Sequence, residues 1–146
     1  MNLPPDASPG YLVNHLARLF GAALQARIKP MGLSIGVFPV MLHLWQKDGL
    51  TQSDLVSLVG VEQATMANTL ARMERDGLIV RDKDPDDGRL RRVWLTDHAR
   101  RKHGPATQAA EEQNARVLSG LSDAEKSQLI ELLRKTIRTF EGQSDT

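Results

Sequence analysis

The chain has 146 residues, of which 40% are hydrophobic, 25% charged and 4% aromatic, and its formal net charge is +1. This length suffices for one domain with a buried core, whereas the small charge does not by itself indicate a nucleic-acid partner. The absence of cysteine excludes disulfides, thiolate metal sites and thiol-based redox sensing. No window approaches the roughly 18 apolar residues of a membrane span, and the N-terminus lacks a signal-peptide pattern, so we expect a cytoplasmic protein without a membrane partner.

The first predicted element is a long helix that begins at Ser8-Pro9 and ends near Lys29, because Pro30 and Gly32 follow. A serine cap followed by proline in the first turn is typical of a helix start. Apolar residues then recur at steps of three and four: Leu12, Leu16, Leu19, Phe20, Ala23, Leu24, Ile28 and Met31. This stripe could pack only on its own domain, but its width favours partial burial against a second copy of the chain.

Three shorter helices are predicted next. The first covers about Ile35 to Lys47, with Pro39 tolerated only near its first turn. Thr51 and Asp54 form a capping-box pattern that starts a helix over Gln52 to Leu58. After the turn at Gly60, a further helix is predicted from Glu62 to Asp76.

A two-stranded hairpin follows these helices. Leu78–Val80 and Val93–Leu95 have the composition of strands, and the segment 84–88, with sequence DPDDG, is a strong turn signal. The order helix, turn, helix, hairpin is the layout of a winged helix-turn-helix. We therefore predict a mainly α fold with a small β-hairpin wing.

The C-terminal part is predicted to be helical. One polar helix runs from Asp97 toward Leu118, with a kink or break at Gly104-Pro105. Ser122 and Glu125 form a second capping box that begins the last helix. Its apolar face comprises Leu129, Leu132, Leu133, Ile137 and Phe140, and the tail from Gly142 onward is expected to be disordered.

The helix from Glu62 to Asp76 is the candidate reader of DNA bases. Its predicted outward side chains are Gln63, Thr65, Asn68, Thr69 and Arg72. Glutamine and asparagine can pair with adenine, arginine with guanine or a phosphate, and the threonine methyl can contact thymine. The alternative is an ordinary solvent-facing polar surface, but the scarcity of carboxylates before Glu74 favours contact with phosphates.

The tip of the hairpin carries the second set of candidate DNA contacts. Arg89 stands at the apex, where it could enter a narrow minor groove of high negative potential. Asp87 is expected to hold Arg89 by a charge-assisted hydrogen bond. Arg91 and Arg92 must point to opposite faces of the strand, so only one of them can face DNA, and Arg91 is the candidate.

The chain resembles the MarR family of bacterial transcription regulators. The resemblance is carried by the segments LTQSDL, ATMANTLARMERDGLI and DPDDGRLRRVWLT and extends over nearly the whole chain. It implies a single domain over 1–146, with dimerisation helices at 8–31 and 105–141 and a DNA-binding lobe at 35–100. It also implies a homodimer on a pseudo-palindromic operator of double-stranded DNA and, usually, repression relieved by a small ligand. Family DNA-contact positions correspond to Gln63, Thr65, Asn68, Arg72 and Arg89.

The resemblance further implies an effector pocket between the dimerisation helices and the DNA-binding lobe. Helices that would wall it contribute His15, Phe38, His43 and Trp45, although each of these is better explained as an ordinary core or half-buried side chain. Because the chain has no cysteine, a small organic effector such as an aromatic acid is expected rather than an oxidant.

Other classes of protein are less well supported by the sequence. No two histidines have the spacing of a helical metal site, and neither a phosphate-binding glycine loop nor a nucleophile elbow is present. We therefore predict no enzyme activity, no catalytic residue, no cofactor and no metal site. The alternatives that remain are a winged-helix module that binds protein and a regulator that senses a metal through histidines and carboxylates.

Overall fold

A computed structural model of the chain describes residues 2–144. Within this range the fold is mainly helical, with one small antiparallel sheet, which confirms the predicted fold class. The helices are α1 Pro9–Ile28, α2 Phe38–Gln46, α3 Gln52–Val59, α4 Gln63–Arg75, α5 Asp97–Arg101, α6 His103–Val117 and α7 Asp123–Ser144. The strands are β1 Leu50–Thr51, β2 Ile79–Lys83 and β3 Arg91–Leu95. Single turns of 3-10 helix occupy Pro5–Ala7 and Lys29–Met31.

Both predicted capping boxes are confirmed. The backbone N–H of Asp54 donates to Thr51 Oγ1 at 3.1 Å, and the Thr51 N–H donates to Asp54 Oδ2 at 3.0 Å. Ser122 and Glu125 make the same reciprocal pair at 2.9 and 3.1 Å. These bonds satisfy backbone donors that a helix start leaves without partners, which is why α3 and α7 begin where the sequence predicts.

Helix α2 begins at Phe38, three residues later than the predicted Ile35. Pro39 has no backbone N–H and fits only in a first turn, so the helix starts immediately before it. The preceding residues form a turn in which the Val37 N–H donates to the Ser34 carbonyl at 3.2 Å.

The predicted interruption after the wing is confirmed and lies slightly earlier than Gly104-Pro105. Helix α5 ends at Arg101 and α6 begins at His103, with Lys102 between them. Pro105 therefore occupies the first turn of α6, where its missing N–H leaves no hydrogen bond unmade. The Lys102 ammonium donates to the Met31 carbonyl and so ties this break to the end of α1.

The sheet contains one strand more than the predicted hairpin. Its order is β1-β3-β2, and all pairs are antiparallel. The short strand β1 pairs Leu50 with Val93 and Thr51 with Arg92. The wing is thereby attached along one edge to the segment that enters α3.

A single core joins the ends of the first helices to the sheet. Its fully buried side chains are Ile28, Val40, Met41, Leu44, Leu55, Met66, Leu70, Met73, Ile79 and Val93. The predicted inward positions of α4, which are Met66, Leu70 and Met73, all belong to this core. Helix α4 is therefore held by one face and presents the other to solvent.

The first and last helices, in contrast, expose large apolar side chains. Every side chain from 131 to 143 is exposed. The exposed apolar residues of α1 and α7 are Tyr11, Leu12, Val13, Leu19, Ile130, Leu132, Leu133, Ile137 and Phe140.

Helix α7 continues to Ser144, so the disorder expected from Gly142 onward is wrong up to that residue, while Asp145 and Thr146 lie outside the described part. No helix within residues 2–144 has the length and hydropathy needed to cross a bilayer.

Candidate nucleic-acid interface

The solvent face of α4 displays most of the side chains predicted to read DNA. Gln63, Thr65, Asn68 and Arg72 are all exposed, as the helical period predicts. The same face also includes Ala64, Ala71 and Arg75, which were not among the predicted DNA contacts. Glu62 precedes the helix and makes no capping bond through its side chain. The carboxylates of Glu62 and Glu74 therefore lie at the two ends of this face, and its middle carries none.

Thr69 does not belong to this face, and its predicted outward position is wrong. Its side chain is only 7% exposed, and its hydroxyl donates to the Thr65 carbonyl one turn earlier at 2.9 Å. On the helical wheel Thr69 borders the face formed by the buried Met66, Leu70 and Met73, next to Met73, so it is packed at the edge of that face. Its polar group is satisfied within the helix and does not project into solvent.

Gln63 is already engaged by a neighbouring helix. The side-chain amide of Gln52, in the first turn of α3, donates to Gln63 Oε1 at 3.1 Å. The bond from Gln52 fixes the orientation of the Gln63 side-chain amide. The N–H groups of Gln63 remain available as donors to a partner. Gln52 was not predicted to take part in the interface, because its role depends on how α3 packs against α4.

Arg72 reaches across to the turn before α2. Its Nη2 atom lies 3.4 Å from the position that a Cβ on Gly36 would occupy, and Ser34 Oγ lies 3.8 Å from the same point. The guanidinium is therefore packed close to the backbone of Gly36, at a distance where a Cβ would still make van der Waals contact. The exposed face of α4 and the α1–α2 turn form one continuous surface at this point.

The wing tip has the arrangement predicted for it. Asp87 Oδ1 accepts hydrogen bonds from the Arg89 backbone N–H at 3.0 Å and from Arg89 Nε at 3.2 Å. The Arg89 side chain is nevertheless 92% exposed. The predicted charge-assisted bond from Arg89 to Asp87 is confirmed, and it leaves the outer guanidinium nitrogens free of bonds to this acid.

The base of the wing contains a polar cluster that the sequence analysis did not predict. Arg92 donates from Nε to Asp84 Oδ2 at 2.5 Å and from Nη1 to the Gly49 carbonyl at 2.8 Å. Asp84 Oδ1 accepts from the backbone N–H groups of Asp86 and Asp87 at 2.7 and 3.1 Å. These bonds, the one from Arg92 foremost, hold the pKa of Asp84 below its ordinary value.

Arg91 and Arg92 lie on opposite faces of β3, as the alternation of a strand requires. Arg91 is exposed, whereas the Arg92 side chain is 34% exposed and bonded within the domain. Of the two arginines, Arg91 is the one available to a partner.

Asp48 connects the sheet to α5 in a similar way. Its Oδ1 accepts from the backbone N–H groups of Gly49 and Leu95 at 3.1 and 2.9 Å, and its Oδ2 accepts from Arg100 at 3.0 Å. The Arg100 guanidinium also donates to Asp97 at 2.9 Å. The hydrogen bond to Asp48, reinforced by Asp97, raises the pKa of Arg100.

The predicted effector-pocket residues do not converge on one cavity. Phe38 is buried and meets the edge of Trp45, with ring centroids 6.0 Å apart. The Trp45 ring in turn stacks on His103 at 5.1 Å, and its indole N–H donates to the Ala99 carbonyl at 3.1 Å. Trp45 therefore fastens α2 to the break between α5 and α6.

The two histidines of the predicted pocket lie elsewhere. His15 is exposed on α1, where its ring meets the edge of Tyr11 at 6.1 Å, and His43 is half-buried on α2. A groove of about 550 Å³ runs between α1 and α6 and is lined by other residues. Those residues are Leu19, Ala22, Ala23, Ala26, Arg27, Gln113, Arg116 and Val117. Among residues 2–144, no three histidine or carboxylate side chains gather in a way that could hold a metal ion.

Comparison with known sequences identifies the class of protein. A model of the MarR family matches residues 33–90, which span α2, α3, α4 and most of the wing. The chain is also 35% identical over 98 residues to the transcriptional regulator HosA of Escherichia coli O111:H-, a match that covers 67% of this chain and 73% of HosA. The chain belongs to the MarR family of DNA-binding transcriptional regulators.

Solved structures share the fold over almost the whole length. A MarR family regulator from Listeria monocytogenes, complexed with 26mer DNA, superposes with a TM-score of 0.83 at 20% identity, covering 90% of this chain and 88% of that one. CouR from Rhodococcus jostii RHA1, bound to p-coumaroyl-CoA, superposes with a TM-score of 0.80 at 18% identity, covering 92% of this chain and 95% of CouR. At these identities the likeness establishes the fold.

Proposed function

We propose that this regulator is a homodimeric, ligand-responsive repressor of a pseudo-palindromic operator. The observation that carries the proposal is the exposed polar face of α4 beside a wing whose apex arginine is almost fully exposed. A helix of this kind fits the major groove, and an arginine at this position fits the adjacent minor groove. The Listeria relative was solved with DNA, which supports the same use of the shared fold.

The exposed side chains predicted from the sequence each have a proposed role in this complex. Gln63 and Asn68 pair with adenine, and Thr65 contacts a thymine methyl. Arg72 grips guanine or a phosphate, and Arg89 enters the minor groove with Asp87 as its support. Arg91 adds a phosphate contact from the exposed face of β3.

The dimer is proposed from the apolar surfaces of α1 and α7. Side chains such as Phe140 and Ile137 are 69% and 55% exposed in the isolated chain. Apolar faces of this extent are typical of interfaces, and a second copy offers the same faces in return. The proposed division is therefore 8–31 and 105–141 for dimerisation and 35–100 for DNA binding. A two-fold axis would set the two copies of α4 about one helical turn of DNA apart, roughly 34 Å.

The proposed effector is a small organic acid with an aromatic group. CouR, with the same fold, was solved with p-coumaroyl-CoA, whose acyl group is aromatic. The residues predicted to line an effector pocket, His15, Phe38, His43 and Trp45, do not share a cavity within residues 2–144 of the isolated chain, so no role in binding the effector is assigned to them. We also propose that the protein acts in the cytoplasm, since the operator it would bind lies there.

Selection from a random DNA pool tests the proposed function most directly. Recovered duplexes are expected to share an inverted repeat, and affinity for random DNA is expected to fall steeply as salt rises. Arg89→Ala is expected to weaken binding to the recovered duplex while leaving the unfolding transition unchanged. An absence of DNA binding even at low salt would contradict the proposal, and wild-type affinity in Arg89→Ala would contradict the wing assignment.

A further inference from the structure

Arg92 is the only arginine of the wing whose guanidinium, in the described residues, bonds to two separate parts of the fold. Its Nε meets the Asp84 carboxylate on the hairpin turn, and its Nη1 meets the Gly49 carbonyl beside β1. Gly49 and Asp84 lie far apart in sequence and on opposite sides of β3. Arg92 therefore spans the width of the sheet and fastens the turn to the body of the domain.

From Arg92 a continuous series of hydrogen bonds leads to the wing tip. Asp84, held by Arg92 through one oxygen, uses the other to accept from the backbone N–H groups of Asp86 and Asp87. The Asp87 carboxylate then accepts from both the backbone and the side chain of Arg89. Each acid in the series is oriented by the group before it and orients the group after it.

We propose that Arg92 is a positioning residue for Arg89, acting through Asp84 and Asp87 without touching DNA. This inference rests on the proposed function, because it assumes that Arg89 enters the minor groove. Arg89 is long, exposed and preceded by Gly88, so an unsupported tip would have to be ordered on binding. A tip that is already ordered loses less conformational entropy, and the affinity of the complex is correspondingly higher.

The geometry separates this role from a direct phosphate contact. Two of the Arg92 nitrogens are committed to Asp84 and Gly49, and the paired strand residue Asp82 stands opposite Arg92 on β2. Neighbouring Arg91 carries the same charge on the exposed face and makes no such bonds within residues 2–144. The two adjacent arginines thus have different proposed roles: Arg91 contacts the DNA, and Arg92 bonds within the domain.

A double-mutant cycle between Arg92 and Arg89 tests the inference. The probe is a duplex recovered from a random pool by the wild-type protein. Arg92→Gln alone is expected to weaken binding by roughly three- to tenfold, the cost of ordering one long side chain. In an Arg89→Ala background the same substitution is expected to change affinity by less than about twofold, because its target is gone.

Equal losses from Arg92→Gln in both backgrounds would overturn the inference, since they would mean that Arg92 acts on DNA or on folding by itself. Asp84→Asn provides a second variant, because it weakens the ion pair while keeping an oxygen for the Asp86 and Asp87 N–H groups. It is expected to show the same dependence on Arg89. If Arg89→Ala itself leaves binding unchanged, the proposed wing contact fails; if Arg89→Ala weakens binding but Arg92→Gln does not, only the positioning role fails.

Discussion

Gly49 lies directly beneath the indole ring of Trp94. A Cβ placed on Gly49 would stand 2.6 Å from Trp94 Cη2 and 2.9 Å from two further ring atoms. The backbone of Gly49 is also left-handed, with φ at +75°. The Gly49 carbonyl also accepts the hydrogen bond from Arg92. Gly49 therefore contacts both the Trp94 ring and the arginine that holds the wing.

Gly49→Ala is therefore expected to destabilise the protein more than a second glycine substitution at the same φ. Gly77 has φ at +74°, but nothing lies within 4 Å of its Cβ position. Gly77→Ala should cost about 1–2 kcal/mol through backbone strain alone. Gly49→Ala should cost roughly 1–3 kcal/mol more, because the Trp94 ring must move.

Urea unfolding at one fixed protein concentration measures both variants. The comparison isolates the collision with Trp94, because the backbone strain is common to the two positions. Equal losses of stability would show that the indole moves aside freely.

Asn68 and Thr69 are adjacent on α4 and are expected to affect different properties. Asn68 is exposed, so Asn68→Ala should cost about 1–3 kcal/mol of binding at one base position and little on random DNA. Thr69→Val keeps the shape of the side chain but removes the buried hydroxyl. It should reduce stability by about 0.5–1.5 kcal/mol and leave base preference unchanged.

Both variants can be measured by binding to the selected duplex and to a set of single-base variants of it, with unfolding curves in parallel. A changed base preference in Thr69→Val would mean that α4 turns about its axis on binding DNA.

Asp84 should make the stability of the protein depend on pH in the acid range. Its folded pKa lies below the unfolded value of 3.8, foremost because Arg92 donates to it. A lowered carboxyl pKa stabilises the fold fully above the unfolded pKa, and this stabilisation is lost as the pH falls through the folded pKa. The difference in unfolding free energy between wild type and Asp84→Asn should thus be constant near neutral pH and shrink from about 4 downward.

The difference between the two proteins is the quantity to follow. Asp54, Glu112 and Glu125 also have lowered pKa values, and their contributions cancel in that difference. A difference that stays constant down to pH 3 would show that the Arg92–Asp84 pair does not favour the folded state.

Ile137→Glu should separate the proposed dimer. Ile137 lies on the apolar face of α7, and a carboxylate buried there without a partner is strongly unfavourable. Sedimentation should show monomers, and operator affinity should fall because two half-sites can no longer be bound together. Gln128→Glu is the matched control, because it adds the same charge nine residues earlier, on the opposite side of the helix.

An unchanged molecular mass for Ile137→Glu would place the dimer interface elsewhere. A loss of mass in both variants would point to the charge of α7 as a whole and not to its apolar face.

The parts of the fold that were predicted correctly depend mostly on residues close together in sequence. The Thr51–Asp54 and Ser122–Glu125 capping boxes join residues three positions apart, so they can be recognised from the sequence alone. Pro39 likewise limits where α2 can begin, although the predicted start at Ile35 is three residues too early. The apolar period of α4 placed Met66, Leu70 and Met73 inside correctly.

The features that were missed depend on contacts between distant segments. Strand β1 has only two residues, and Leu50 becomes a strand residue only because Val93 is beside it. The bond from Arg92 to Gly49 spans 43 positions in the sequence. Thr69 was misplaced because the width of the buried face of α4 is set by the elements packed on it, which a helical wheel does not contain.

The bond between Gln52 and Gln63 bears on how readily the specificity of such a regulator can be transplanted. Gln63 belongs to α4, but the amide that orients its oxygen belongs to α3. Exchanging α4 alone with that of a relative would separate Gln63 from Gln52, and the bond would persist only where the relative has an amide at the equivalent position of its own α3. An engineered chimera should therefore include residue 52 with the grafted helix, and natural changes of operator should require paired substitutions on both helices.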